Sequence, residues 1–308
     1  MSGSGITSLG TAAAIEGVGG AKLEQQTYRE SKKPKKSIIA SIVATTIAVL
    51  WTIPTLGLLI TSFRPQIDAL GTGWWEAWRE PNFTLDNYRD VLSAGTGGLS
   101  QNFVNSIVIT VPAVVIPLVL ASLAAYGFAW IDFRGRTAMF VAVFALQIVP
   151  LQVALIPLLT DYVSYDLTGT FWPIWISHSI FALPLAVYLI NNFMREIPRE
   201  LIEAARVDGA GHVKIFFQVL LPLLTPALAA FGIFQFLWVW NDLLVGLTFG
   251  NTDSRPITVA VAELTGTRGS AWHLLSAGAF VSIIIPVLVF ISLQRFFVRG
   301  LLAGGLKG

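Results

Sequence analysis

The side chains best suited to binding a polar ligand stand at the end of one apolar stretch, as Trp238, Trp240, Asn241 and Asp242. Aromatic faces stack on the C–H surfaces of sugars, while an amide and a carboxylate bond the hydroxyl groups. This pattern is typical of a sugar contact or a gate. It is also typical of an interfacial belt of tryptophans beside a capped helix end, which is a common arrangement in membranes.

Two further polar residues, Gln147 and His178, lie near the middle of apolar stretches. A buried polar side chain in a membrane protein usually bonds a neighbouring helix. That structural role is one interpretation of both residues, and contact with a transported substrate is the other.

The patterns that carry catalysis are missing. The sequence has no cysteine, no G-x-x-x-x-G-K-[ST] phosphate loop, no H-E-x-x-H motif and no G-x-S-x-G elbow, and its three histidines make no convincing metal site. Asp242 is the exception among apolar stretches that otherwise almost lack acidic residues, which leaves little for an ion relay. We therefore expect a conduit without catalytic residues, metal or bound cofactor, and no nucleic-acid partner.

The elements that must position these residues are membrane helices. Of 308 residues, 54% are hydrophobic and only 12% are charged, about half the charged share of a typical globular protein. Breaking the chain at its charges leaves six segments long enough to cross a bilayer of about 30 Å, without the alternation of barrel strands. The six predicted spans are Ser37–Phe63, Phe103–Trp130, Thr137–Thr160, Phe171–Phe193, Leu223–Phe249 and Leu274–Val298.

Prolines occur inside these spans, where neighbouring helices or water must satisfy the carbonyl that each one frees. They indicate either packing geometry or kinked helices that line a path able to open and close. They are Pro54, Pro112, Pro117, Pro150, Pro157, Pro173, Pro184 and Pro286.

The positive-inside rule predicts cytoplasmic termini, because fifteen of the 20 Lys and Arg residues fall on the side of both termini. We expect three regions: a disordered basic tail over residues 1–36 that contacts anionic lipid, a transmembrane domain over 37–298, and a cytosolic tail over 299–308.

The segment between spans four and five, residues 194–222, has a helical pattern of its own. Pro198 suits a first helical turn, Leu201, Ile202, Ala205 and Val207 make an apolar stripe, and Gly209 and Gly211 end the helix. A second short helix is expected up to Pro222. Two short helices around a glycine turn predict a compact cytosolic knob, which is either a simple connection or a docking element.

The spacing within this knob resembles a known family. Glu203-Ala204-Ala205, three residues, Gly209, nine residues and Val219-Leu220-Leu221-Pro222 are similar to the EAA loop of permease subunits of binding-protein-dependent ABC importers, with Val219 where Ile is usual. Other stretches resemble the maltose-type sugar permeases, and Phe234–Val245 resembles α-glucoside permeases. These stretches are Phe83–Tyr88, Asn105-Ser106, Ala124–Phe128, Phe133–Arg136, Trp240–Asp242 and Gln294–Gly308.

The resemblance implies a type I importer permease in the bacterial cytoplasmic membrane, multi-pass and all-α. It implies a second homologous permease, two ATPase subunits that hold ATP and Mg²⁺, an extracytoplasmic sugar-binding protein, and membrane lipid as partners. The substrate it implies is an α-glucoside such as maltose or trehalose. The implied ATPase-coupling residues are Glu203, Ala204, Ala205, Asp208, Gly209, Leu221 and Pro222.

Two other functions compete with this interpretation. A self-sufficient carrier or channel needs inverted repeats or ionisable relay residues, and the sequence shows neither. A membrane protease needs a nucleophile motif as a partner for His178, and none is evident.

Overall fold

The computed structural model describes residues 38–93, 98–264 and 271–305, with side chains described as far as residue 293. The regular structure of these ranges is helical. The helices are α1 Ile38–Ser62, α2 Gln66–Gly71, α3 Asp86–Ser93, α4 Gly98–Trp130, α5 Arg136–Ala145, α6 Leu151–Ser164, α7 Trp172–Glu196, α8 Arg199–Val207, α9 His212–Ile215, α10 Leu221–Trp240, α11 Leu244–Phe249, α12 Ile257–Glu263 and α13 Trp272–Gly305. Short 3₁₀ turns cover Trp74–Trp78 and Leu146–Ile148, and a π turn covers Phe216–Leu220.

Within the described ranges, five helical stretches are long and apolar enough to cross a membrane, and α5 with α6 makes a sixth if that bent pair is one span. They are α1, α4, α7, the stretch from α9 through α10, and α13. The bent pair corrects the unbroken third span expected over Thr137–Thr160, because α5 and α6 meet at 99°. Pro150 causes this break, since the residue before a proline avoids the helical region, and Val149 is extended with ψ 118°.

The fifth and sixth spans also differ at their ends from the prediction. The fifth was expected to reach Phe249, but α10 ends at Trp240 and α11 begins anew at Leu244. The backbone of α13 continues to Gly305, so the predicted boundary at residue 298 falls inside a helix. The predicted tail over residues 1–36 lies outside the described residues.

The chain divides into two units, residues 1–56 and 57–308. The described part of the first unit is a single helical stretch over residues 38–56 with exposed side chains. The second unit contains the packed helices, and its centre is the contact between α4 and α7. Alanines such as Ala121, Ala125, Ala182 and Ala186 are buried there, and small residues let membrane helices approach closely.

Three of the prolines inside spans of the second unit free a carbonyl that another helix satisfies. A proline lacks the N–H that would bond the carbonyl four residues earlier, and in each case a side-chain N–H from a different helix donates to it instead. The three bonds are Trp175 Nε1 to the Val108 carbonyl (3.0 Å) before Pro112, Gln235 Nε2 to the Ala113 carbonyl (3.2 Å) before Pro117, and Trp240 Nε1 to the Ser282 carbonyl (3.0 Å) before Pro286. These prolines therefore belong to helix packing.

Buried amides and hydroxyls fix two connecting segments onto the spans. Asn87 donates to the carbonyls of Ser62 and Arg64, both at 2.9 Å, which holds α3 at the end of α1. Asn105 donates to the carbonyls of residues 253 and 255, and the Ser106 hydroxyl accepts the N–H of residue 257. The connection between α10 and α13 is therefore held against α4.

Candidate functional site

A cavity of about 520 Å³ lies where the third span is broken. The 146–150 turn, α6, α7 and α10 supply its walls, which are mostly apolar. Three of its lining side chains can hydrogen-bond, namely Gln147, Gln235 and Trp238. The volume is within the range of ligand pockets, and none of the lining residues is charged, so the cavity suits a polar but uncharged solute.

The Pro150 break exposes Gln147, because the 3₁₀ turn that ends α5 leaves this side chain without a neighbouring helical turn. Gln235 is held quite differently. It is 1% exposed, and its amide nitrogen donates to the Ala113 carbonyl. That bond fixes the orientation of the carboxamide at the cavity wall.

Gln235 was not among the residues predicted from the sequence. It lies in the stretch that resembles α-glucoside permeases, and it is three residues before Trp238 on one face of α10. That spacing is a signal that could have identified it. Its bond to α4, however, joins residues 122 positions apart and leaves no local trace in the sequence.

Trp238 separates the cavity from His178. The two rings are perpendicular with centroids 5.3 Å apart, and His178 is 1% exposed. The Nε2 atom of His178 is 3.9 Å from Oδ2 of Asp242, beyond hydrogen-bond distance. Within the described ranges Nδ1 of His178 has no hydrogen-bond partner. The structure therefore places His178 behind the cavity wall, beside Asp242.

Asp242 and Asn241 occupy the caps of two helices. Oδ2 of Asp242 accepts the N–H groups of Val245 (2.8 Å) and Gly246 (3.2 Å) at the start of α11, as a capping carboxylate does. Asn241 ends α10, and its amide donates to the Leu237 carbonyl at 2.7 Å. Neither residue lines the cavity.

Trp240 also lies away from the cavity. It is 2% exposed, it packs edge-on against Phe103, and it is one of the donors to a proline-freed carbonyl. Of the six residues predicted for a substrate path or gate, the structure therefore brings Gln147 and Trp238 to one cavity and places the other four outside its lining.

The second candidate site is the knob formed by α8 and α9. Ile202 anchors it, with 2% of its surface exposed, together with Ile215 of α9 and Phe216 of the π turn. The Tyr126 hydroxyl lies 2.6 Å from Nδ1 of His212 and ties the knob to α4. The predicted apolar stripe is only partly buried, because Leu201 and Val207 point outwards with 46% and 88% exposure.

Gly209 makes the turn between the two short helices. Its φ of +78° is left-handed, its N–H donates to the Arg206 carbonyl, and the N–H of Ala210 donates to the Ala205 carbonyl. These two bonds are the Schellman pattern that closes a helix C-terminus. The predicted helix stop at Gly209 is confirmed, and Gly211 is an ordinary extended residue with φ −76°.

The remaining residues of the knob lie mainly on its surface. Glu203, Ala204 and Asp208 are exposed, and Ala205 is half-buried. The predicted second short helix does not end at Pro222: α9 continues through the π turn into α10, where Leu221 is half-buried and Pro222 exposed. The knob thus presents an exposed short helix at the end of a long membrane helix.

Comparison with known proteins identifies this arrangement. Residues 117–302 match the family described as "Binding-protein-dependent transport system inner membrane component". The chain belongs to this family and is a permease subunit of an ABC importer. It is therefore a multi-pass protein of the inner membrane and a transport component, as the sequence predicted.

Two curated relatives are about half identical to the chain. The osmoprotective compounds uptake permease protein GgtD of Synechocystis is 50% identical over 272 residues, which are 86% of this chain and 91% of the relative. The α-glucoside transport system permease protein AglG of Rhizobium meliloti is 48% identical over 242 residues, which are 76% of this chain and 63% of the relative.

A solved structure shares the fold. It is a bacterial ABC transporter involved in the import of the acidic polysaccharide alginate, with a TM-score of 0.68 at 21% identity, covering 86% of this chain and all of that chain. The predicted all-α importer permease fold is confirmed by this likeness.

Proposed function

We propose that this permease takes up an α-linked glucoside such as maltose or trehalose by alternating access. The observation that carries the proposal is the uncharged cavity with Gln147, Gln235 and Trp238 on its walls. The exposed amide of Gln147 and the indole of Trp238 offer hydrogen bonds and an aromatic face, which is the chemistry that a sugar needs. The 48% identity to an α-glucoside permease supports this substrate class.

A second substrate class has a specific observation in its favour. The relative with 50% identity is described as a permease for osmoprotective compounds. A cavity without charged lining residues suits a small uncharged osmolyte as well as a disaccharide.

Coupling is proposed to run through the exposed face of α8. Its residues match the EAA spacing, and the glycine turn and the buried Ile202 anchor the helix to the rest of the chain. In this proposal two ATPase subunits bind below the knob and carry ATP and Mg²⁺, while this chain carries no cofactor. The knob and both termini are then cytoplasmic, as the Lys and Arg distribution indicates.

The remaining proposed partners are a second homologous permease and an extracytoplasmic sugar-binding protein. The family description names transport that depends on a binding protein. The broken third span favours a second permease as partner. The cavity beside Gln147 opens on exposed residues of the 146–150 turn, which a second permease would cover.

Uptake measurements in a strain that lacks the gene test the substrate. Labelled maltose, trehalose and sucrose are compared with an amino acid and a charged oligosaccharide, with the strain complemented by the wild-type chain or by Gln147→Leu. We expect uptake of at least one α-glucoside that depends on the wild-type chain. Uptake of only the amino acid or the charged oligosaccharide would contradict the proposed substrate class.

A further inference from the structure

A polar recess, distinct from the cavity, lies where α4 ends, α5 begins and α8 passes. It has a volume of about 140 Å³ and is lined by Trp130, Asp132, Arg136, Arg199, Glu203 and Arg206, among others. Three arginines on one recess of a chain with so few charges are a concentration of positive charge that packing does not require.

The charges of the recess do not cancel. Asp132 pairs with Arg136 at 2.7 Å. Within the described ranges neither Arg199 nor Arg206 has a carboxylate within ion-pair distance, although Glu203 is on the same face of α8. Arg199 and Arg206 carry two positive charges and Glu203 carries one negative charge. The remaining net charge of +1 equals in magnitude the single negative charge of a phosphodiester. Guanidinium groups bind phosphate oxygens bidentately and bond them more strongly than neutral donors do.

The position of the recess in the chain places it at the level of lipid head groups. Trp130 is the last residue of α4 and Arg136 the first of α5, so the recess lies where two apolar spans end. Trp130 lines it, and tryptophan prefers this depth. Apolar side chains next to these residues in the sequence are exposed, at Ile131, Phe133 and Met139.

We infer that this recess binds the phosphate head group of an anionic phospholipid, with Arg199 and Arg206 as its ligands and Arg136 at its rim. Basic pockets between membrane helices on the cytoplasmic side are sites of this kind. A bound head group would hold α8 to the ends of α4 and α5 and would make the position of the knob depend on lipid composition. The inference rests on the proposed function only for the side of the membrane and for the role of α8.

The test is a lipid titration of the purified transporter complex, delipidated in detergent, with bound lipid counted by native mass spectrometry. The probes are dioleoyl phosphatidylglycerol, dioleoyl phosphatidylcholine and inorganic phosphate. The variants are Arg199→Gln with Arg206→Gln, Arg136→Gln, which lies off α8, and Arg134→Gln, a control that removes the same charge outside the recess lining.

We expect phosphatidylglycerol to bind the double variant about 30-fold more weakly and Arg136→Gln about fivefold more weakly, since each arginine contributes about a factor of five near an anionic surface. Arg134→Gln should stay within about twofold, because surface charges away from a site have small effects. Phosphatidylcholine should not replace the anionic lipid, and inorganic phosphate at equal concentration should not displace it.

Equal binding of phosphatidylglycerol by the wild type and by both recess variants would overturn the inference. Displacement by inorganic phosphate would assign the recess to a free anion instead, and binding only after removal of the ATPase would assign it to the ATPase contact. Failure of the proposed function is a different result, namely a wild-type chain that copurifies with no ATPase whatever its lipid content.

Discussion

Substitution of Gly209 tests the proposed coupling role of the knob. A residue with a Cβ in the left-handed backbone conformation raises the free energy of the folded state by about 1–2 kcal/mol. A β-branched side chain raises it further because its rotamers are restricted. A Cβ built at Gly209 meets nothing within 4 Å, so the cost within this chain is backbone strain alone. A backbone strain of about 1–2 kcal/mol lowers the population of the left-handed turn five- to 30-fold relative to other conformations of this segment.

Gly211 offers a matched control two residues away. It also has nothing within 4 Å of a Cβ, but its φ is −76°, which any residue adopts. Gly209→Val should therefore impair the knob and Gly211→Val should not. Gly209→Asn should fall between Gly209→Val and the wild type, because asparagine tolerates the left-handed region.

The assay measures three quantities for each variant: its level in the membrane, the amount of ATPase that copurifies, and sugar uptake. The membrane-spanning helices lie outside the turn, so membrane levels should match the wild type. For Gly209→Val we expect ATPase attachment or uptake per transporter to fall at least fivefold, in line with the strain. Equal attachment and uptake for Gly209→Val and Gly211→Val would show that the knob is an ordinary connection.

Three further predictions concern the cavity, the helix contacts and the partner. Gln147→Leu should lower uptake with normal ATPase copurification, because it removes one amide from the cavity wall; unchanged uptake with normal expression would exclude a substrate contact. Trp240→Phe should destabilise the folded chain by about 1–3 kcal/mol by leaving the partly buried Ser282 carbonyl unsatisfied. Pro286→Ala restores the missing N–H, so the same tryptophan change should cost less in that background, and equal losses of thermal stability in both would refute the explanation. The purified chain alone should hydrolyse no ATP, whereas addition of the ATPase subunits and loaded binding protein should give turnover; hydrolysis by the chain alone would refute the division of roles.

The sequence predicted the approximate positions of the spans and the Gly209 turn, but not which prolines break a helix. Pro112 and Pro117 lie within the continuous helix α4, while Pro150 stands at a 99° break. In α4, Trp175 and Gln235 satisfy the carbonyls that these two prolines free. These donors are 67 and 122 residues away in the chain. Local spacing therefore cannot distinguish a proline that another helix accommodates from one that ends a helix.

The same limit explains why the predicted tryptophan cluster divides in the structure. Residues two apart on an α-helix differ by about 200° in direction, so Trp238 and Trp240 face opposite sides of α10. Trp238 lines the cavity, and Trp240 donates to α13. Adjacency in the sequence suggested one site, whereas the helix assigns one ring to the proposed path and the other to packing. A movement of α10 during transport would therefore change the cavity wall and the contact with α13 together, which links the proposed sugar path to the arrangement of the bundle.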